Sequence, residues 1–421
     1  MNSKKITAII MYWYPYVGAI QPIYKAIFKN LSKNNYTVNI IAGIPHYRKG
    51  REELWHDYRG VFHKECVEDE LSIKRTFVFS PKIDIGFDKI GILRRFINYL
   101  SFFVSAFLAI IFDKKIKPKI FFIPSFPPFF IGLLACLISA IKKVPFVYNV
   151  QDIYPDILYS IKLFRLRPIA YFLEEIEKFV YSRSKHVIVI SDKMKDTLHS
   201  KGVPLEKISV IANFCATNFV KPFPKKNDFS KEYNIQDKFI VLYAGNIGEP
   251  QGVEYIINAA KIISCYPDIL FAFVGRGEKK QEAEKFVRDS NLRNVIFIPL
   301  QPFEKMPLVW ASADISVVSL RRNLSHLAFP SKIYSILSSG RPIIVMVDKK
   351  SEIWEFVEES NAGFCVESED SKELANKILS LYNNPSLGKR MGENGGKFVE
   401  KNFSKELILS KYKKLFDNLY I

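Results

Sequence analysis

Residues 239–252, FIVLYAGNIGEPQG, carry an apolar strand pattern straight into Gly245, Gly248 and Gly252. Val253, Ile256, Ile257 and Ala260 follow at helical spacing. A strand, a glycine turn and a helix start let backbone N–H groups come close to an anion, because no Cβ holds it away. The spacing is neither the dinucleotide G-x-G-x-x-G nor the G-K-[ST] end of a P-loop. Asn246, Gly248, Glu249, Gln251 and Gly252 are the candidate contacts in this turn. Arg276 sits in a second glycine turn, Gly275-Arg276-Gly277, and Pro330-Ser331-Lys332 opens a further helix pattern. A lysine just past a proline can meet phosphate together with helix N-terminal N–H groups, or it is a solvated helix residue. The tandem Arg321 and Arg322 are additional cations. In the first half, Asp152 follows an apolar strand. It is either a carboxylate that orients a hydroxyl and takes a proton, or a turn residue before Tyr154-Pro155. His46 and His326 have the side chain for acid–base work, although a histidine so placed is more often structural.

These residues need elements to hold them. At 421 residues the chain is long enough for two domains with sizeable cores. Apolar strand runs alternate with helical patterns, at residues 6–11, 38–42, 120–123, 146–150, 187–190 and 208–212, and then at 239–243, 270–274, 295–298, 315–319 and 343–347. Such alternation predicts two parallel, doubly wound α/β domains. The predicted boundaries are 1–215 for the first domain, 216–237 for a polar, proline-punctuated linker, 238–400 for the second domain and 401–421 for a closing helix that packs back on the first. In open sheets ligands bind beyond the carboxyl ends of the strands. That rule collects Gly18, Gln151, Asp152, the turn at 245–248, Arg276 and residues 320–330. Residues 44–70 read as one long irregular loop.

Net charge is +18, which favours an anionic partner. No nucleic-acid motif appears and the basic residues are dispersed, so nucleic acid ranks last. Five scattered cysteines, none in C-x-x-C spacing, indicate neither disulfides nor zinc and fit a cytoplasmic setting. The N-terminal apolar run reads as a buried strand. Residues 96–112 and 126–141 are free of charge and flanked by Arg94, Arg95, Lys114, Lys115, Lys117, Lys119, Lys142 and Lys143. A spanning helix needs about 20 apolar residues. The two stretches, at or just under the lower limit of about 17, read as core helices, as a surface that dips into a bilayer while lysines meet anionic headgroups, or, last, as spanning helices.

Six segments, in order, resemble one family: YNVQDIYPD (148–156), VIVISDKM (187–194), KGVPLEKISVIANF (201–214), YAGNIGEPQG (243–252), FVGRGE (273–278) and FPSKIYSILSSGRPII (329–344). The chain resembles family 4 glycosyltransferases of the two-Rossmann-domain GT-B type, in the branch of N-acetylfucosaminyl- and colanic-acid-type transferases. The resemblance implies two domains facing across a cleft. It implies sugar transfer, with retention, from a nucleotide-diphosphate donor (a UDP-linked, N-acetylated or deoxy sugar) to a lipid-linked polyprenyl-diphosphate or glycan acceptor. It further implies no metal and no cofactor, and work on an anionic membrane surface at the inner face of the cell membrane. Two departures stand out. The glycine-loop positions that often hold Arg and Lys are Asn246 and Gln251, and Ser335 occupies the place of a donor-gripping glutamate. Residues 320–340 contain no Asp or Glu. With Asn246 and Gln251 uncharged, Lys332 is the leading candidate for a cation on the donor diphosphate. A nucleotide-sugar epimerase of the same shape and a catalytically silent membrane-associated partner are the competing readings.

Overall fold

The computed structural model describes residues 4–14, 20–45, 62–67, 71–79, 89–156, 167–215, 220–325, 327 and 329–420. The chain divides into two compact units, residues 1–212 with 408–421, and residues 213–407.

The first unit is built on β1 (Lys4–Ile10), β2 (Tyr36–Gly43), β3 (Phe62–Val67), β4 (Leu71–Thr76), β5 (Ile120–Pro124), β6 (Phe146–Val150), β7 (His186–Val189) and β8 (Ile208–Val210). Their order across the sheet is β3-β4-β2-β1-β5-β6-β7-β8. Every pairing is parallel except β3 with β4. All residues of β5 and β6 are buried, as expected of strands covered on both faces by helices. The stretch at 44–70 is not wholly irregular, because it contains β3. That strand, FHKECV, is a polar edge and lacks the apolar run by which the central strands announce themselves.

The apolar stretches lie in the helices Lys89–Phe112 and Phe130–Lys142. Residues Leu93–Phe112 have a mean hydropathy of 1.8 and are 33% buried, the one helix among the described residues long and apolar enough to cross a membrane. Phe102, Ala106, Ala109 and Ile110 are buried, whereas Leu93, Phe96, Leu100, Val104 and Phe112 are exposed. The helix Lys405–Leu419 brings Tyr412 and Phe416 into the core of this unit. Phe416 meets the rings of Tyr36 and Phe122, and Asp417 accepts from Lys4 Nζ at 2.6 Å and Tyr36 Oη at 2.7 Å. Those two donors and Lys413 hold the Asp417 carboxyl well below the usual carboxylate range.

The second unit contains β9 (Phe239–Asn246), β10 (Ile269–Arg276), β11 (Val295–Ile298), β12 (Ile315–Ser319), β13 (Ile343–Val347) and β14 (Gly363–Glu367), all parallel, in the order β11-β10-β9-β12-β13-β14. The strand order reverses between β9 and β12, the switch point where open sheets bind ligands. The loops that leave those strands carry the glycine turn and residues 320–331. The proline-punctuated stretch before β9 folds into this unit. It forms a short helix, Asp228–Glu232, through a capping box of Asn227 and Ser230. Asn227 Nδ2 also donates to Ser312 Oγ at 2.9 Å, and Lys225 pairs with Asp314 at 2.5 Å.

Candidate active site

In the second unit β9 and β10 stay in register to their ends, Gly245 beside Gly275 and Asn246 beside Arg276. A Cβ on Gly275 would stand 1.9 Å from the Gly245 carbonyl oxygen, and one on Gly277 would stand 2.1 Å from that of Ile247. Only glycine allows this approach. The loop continues through a 3-10 turn, Glu249–Gln251, and the left-handed Gly252 (φ 55°) into the helix Val253–Ile262. Its polar groups satisfy one another. Gly248 N–H and Asn246 Nδ2 both donate to Gln251 Oε1 at 3.2 Å, and Glu249 N–H donates to Glu278 Oε1 at 3.3 Å. Asn246 and Gln251, which stand where the resemblance expects cations, are thus bonded to each other.

The loop after β12 clamps the glycine turn. Arg321 Nε donates to the Glu249 carbonyl at 2.7 Å, its guanidinium pairs with the Glu249 carboxylate at 2.8 Å and with Glu254, and its ring-facing side lies 5.7 Å from the Tyr255 centroid. Ser319 Oγ donates to the Gln251 carbonyl at 2.6 Å. Lys279 adds a second cation on Glu249 at 3.0 Å. The charge of Arg321 is therefore engaged by carboxylates, and so is that of Glu249 by cations. Arg322 reaches the Ser368 carbonyl at 3.5 Å, and Arg276 is exposed at the end of β10.

Lys332 is placed differently. Its Nζ lies 4.1 Å from the Tyr243 ring centroid and 3.4 Å from the Ala244 carbonyl, and a Cβ on Gly245 would be 3.5 Å away. Among the described residues no carboxylate comes within ion-pair distance of it. Burial without a counter-charge pushes its pKa down to about 7. Ser331 precedes it at the start of the helix Lys332–Ser338, and Ser335 Oγ lies 3.7 Å from Cys215 Sγ.

In the first unit Asp152 follows β6, and burial pushes its carboxyl up to about 6, within the range useful for proton transfer near neutral pH. It lines a crevice with Ser125, Tyr148, Tyr154, Glu177 and Tyr181. Glu177 accepts from Tyr181 Oη and from Lys201 Nζ, the latter at 2.9 Å, and Lys201 also reaches Asp156. Desolvation outweighs these partners and pushes Glu177 up to about 7. Gly18, His46 and His326 lie outside the described residues. Among those described, no group of three or more His, Cys, Asp or Glu side chains is arranged to hold a metal ion.

Two family profiles match, one in each half of the chain: Glycosyltransferase Family 4 over residues 27–219 and Glycosyl transferases group 1 over residues 225–398. With the two parallel-sheet units, they make the chain a GT-B glycosyltransferase of the group 1, family 4-like kind. Its relatives include the putative colanic acid biosynthesis glycosyl transferase WcaI of Escherichia coli strain K12, 26% identical over 91% of this chain and 92% of that protein. The capsular polysaccharide biosynthesis glycosyltransferase CapM of Staphylococcus aureus is 25% identical over 68% of this chain and 74% of that protein. The fold also matches the crystal structure of Anabaena Alr3699/HepE in complex with UDP, with a TM-score of 0.71, 15% identity, and coverage of 98% of this chain and 100% of that one.

Sequence spacing pointed to the glycine turn and to Lys332 and gave no sign of the clamp. Arg321, Glu254 and Lys279 are brought to Glu249 by the β9–β12 and β10–β9 pairings. The Glu177–Lys201–Asp156 cluster was equally hidden, although Lys201 opens the KGVP segment.

Proposed function

We propose that this chain moves a sugar from a nucleotide-diphosphate donor to a lipid-linked polyprenyl-diphosphate or glycan acceptor during assembly of a surface polysaccharide or glycolipid. The donor is UDP-linked and N-acetylated or deoxy, transfer proceeds with retention, and neither a metal nor another cofactor takes part. The observation that carries this reading is Lys332, a cation with no carboxylate beside it among the described residues, at the exit of β9 where the strand order reverses. A departing diphosphate develops negative charge, and a preorganised cation in a dry site stabilises it without reorganisation. Gly248 and Gly252 shape the turn that approaches the diphosphate, and Asn246 and Gln251 exchange their mutual hydrogen bond for it. Ser331 and Ser335 offer further neutral hydrogen bonds in place of the usual charged groups. Arg276 supplies a peripheral cation, and Glu249 meets the donor sugar. Asp152 orients a donor hydroxyl or accepts the acceptor's proton, Gly18 contributes to donor binding and His46 to acid–base work. The names of WcaI and CapM support a polysaccharide setting, and the UDP complex of HepE supports the nucleotide.

We further propose peripheral attachment to the inner face of the cell membrane. In its support, large apolar side chains are exposed on Leu93–Phe112, on the helix Phe130–Lys142 packed against it (Leu137, Ile141) and on the helix Arg167–Arg183 packed in turn on that one (Tyr171, Phe172, Phe179). Lysines flank the first two, each contributing about 1 kcal/mol near an anionic surface. The test of the main reading is release of nucleoside diphosphate from a panel of UDP-, GDP- and TDP-sugars in excess EDTA. Turnover of one of them is expected. Absence of both turnover and a thermal shift with every donor overturns the reading, and abolition by EDTA with rescue by Mn²⁺ overturns its metal-independent part.

A further inference from the structure

The end of β6 is held by polar side chains from distant parts of the chain. Asn149 is completely buried, and Tyr24 and Tyr412 are each 1% exposed. Tyr24 Oη, from the helix Gln21–Lys33, donates to Asn149 Oδ1 at 2.8 Å, and Gln151 Nε2 donates to the same oxygen at 2.7 Å. Asn149 Nδ2 donates to Tyr412 Oη at 3.5 Å, from the helix Lys405–Leu419. Two phenols and a carboxamide in a dry place add little net stability over apolar side chains of the same shape, because desolvation offsets most of the hydrogen-bond gain. Orientation is what they add. Asn149 can offer its oxygen to Tyr24 and Gln151 only while its amide points at Tyr412, which fixes its flip state. With Nε2 held by Asn149 and its backbone N–H held by Ser125 Oγ at 3.1 Å, Gln151 is fixed at both ends. The residue after it is Asp152.

We propose that Tyr412 is a positioning residue for the Gln151-Asp152 strand end, acting through Asn149. The proposal rests on the reading that this strand end meets substrate. The helix Lys405–Leu419 then sets the geometry of the acceptor-side residues as well as closing a core.

The test uses the full chain and the nucleotide sugar turned over fastest in the panel. Four variants are compared: Tyr412→Phe, Tyr24→Phe, Gln151→Ala, and Tyr412→Phe with Gln151→Ala. Tyr412→Phe keeps the ring and removes only the hydroxyl, and is expected to lower kcat about 3- to 10-fold while UDP affinity stays at the parent value. A merely structural role would lower the melting temperature and leave kcat of the folded protein unmoved. If Tyr412 acts through Gln151, the double variant is no slower than Gln151→Ala alone. Tyr24→Phe breaks the same network from the other side and repeats the pattern should Tyr412→Phe fold poorly. An impaired Gln151→Ala beside a fully active Tyr412→Phe, or multiplying defects in the double variant, overturns the positioning role alone. A fully active Gln151→Ala overturns the strand-end reading and the positioning role with it.

Discussion

Replacing Lys332 by alanine removes the one ammonium that stands at the exit of β9 without a carboxylate partner among the described residues. A charge-assisted hydrogen bond to phosphate in a partly dry site contributes about 1.5–3 kcal/mol. At about 1.4 kcal/mol per decade, kcat/KM should fall on the order of 10- to 150-fold. If the lysine acts on the departing diphosphate, kcat falls; if it grips donor and transition state alike, KM rises. The pH dependence follows from its pKa near 7 in the free protein. Below that value the ammonium is already formed and donor affinity is flat. Above it, binding must take up a proton, and affinity weakens by up to about tenfold per pH unit. Lys332→Arg stays charged throughout and should flatten the profile while retaining part of the activity. Stability is expected to move little. The ammonium of this half-buried lysine is desolvated without a counter-charge and only partly compensated by the Tyr243 ring, so Lys332→Ala should melt close to the parent at neutral pH. The assay is steady-state release of nucleoside diphosphate across pH 5.5–9, with a thermal melt of each variant. A folded Lys332→Ala protein with parental kcat/KM at every pH would refute the assignment and direct attention to Arg276.

Arg321→Ala should loosen the glycine turn, costing about 1.5–2.5 kcal/mol, half of a fully buried pair because Arg321 is 25% and its carboxylate partners 33% and 39% exposed, and lowering the melting temperature of the second unit by roughly 3–10 °C. An unchanged melt with an unchanged KM would show that the clamp is idle. Lys201→Met leaves Glu177 and Asp156 without their cation and should destabilise the first unit by about 3–5 kcal/mol, and adding Glu177→Gln should recover part of that in a denaturant melt. Glu177 holds its proton up to about pH 7 when folded, against an ordinary value of 4.5, so its contribution to stability declines as pH rises through that window. Glu177→Gln should remove that slope. Sedimentation with anionic vesicles should weaken in high salt and on changing Lys114, Lys115 and Lys117 to Glu; equal binding to neutral vesicles at every salt would refute the electrostatic part.

Much of the framework could be read from the chain because central parallel strands are apolar on both faces and are bounded by glycine or polar residues. β5, β6, β9 and β12 are of that kind. β3 escaped because an edge strand can be polar, and β4 beside it escaped because it alternates, burying Leu71 and Ile73 between half-exposed Ser72 and Lys74. β14 was hidden for a similar reason, with Gly363, Phe364 and Cys365 only half-buried. The glycine turn was legible because its backbone demands a residue type. The partners of Glu249 were not, since Arg321 lies 72 residues away and pairing across a switch point leaves no local period. Asn149 looked like an ordinary strand residue, and nothing in its neighbourhood announces Tyr412, 263 positions later.

The first unit is discontinuous in the chain, and this bears on how it is made. Translation delivers residues 1–212 first, yet Tyr412, Phe416 and Asp417 belong to their core and hydrogen-bond network. The unit encoded second is continuous and folds from its own residues, while the one encoded first must wait for residues 408–421 with part of its interior unfilled. During that interval its nascent form exposes apolar surface that chaperones or a nearby bilayer would bind. A fragment ending near residue 212 is thus a folding intermediate rather than a domain, and supplying a peptide of residues 405–421 in trans should complete it.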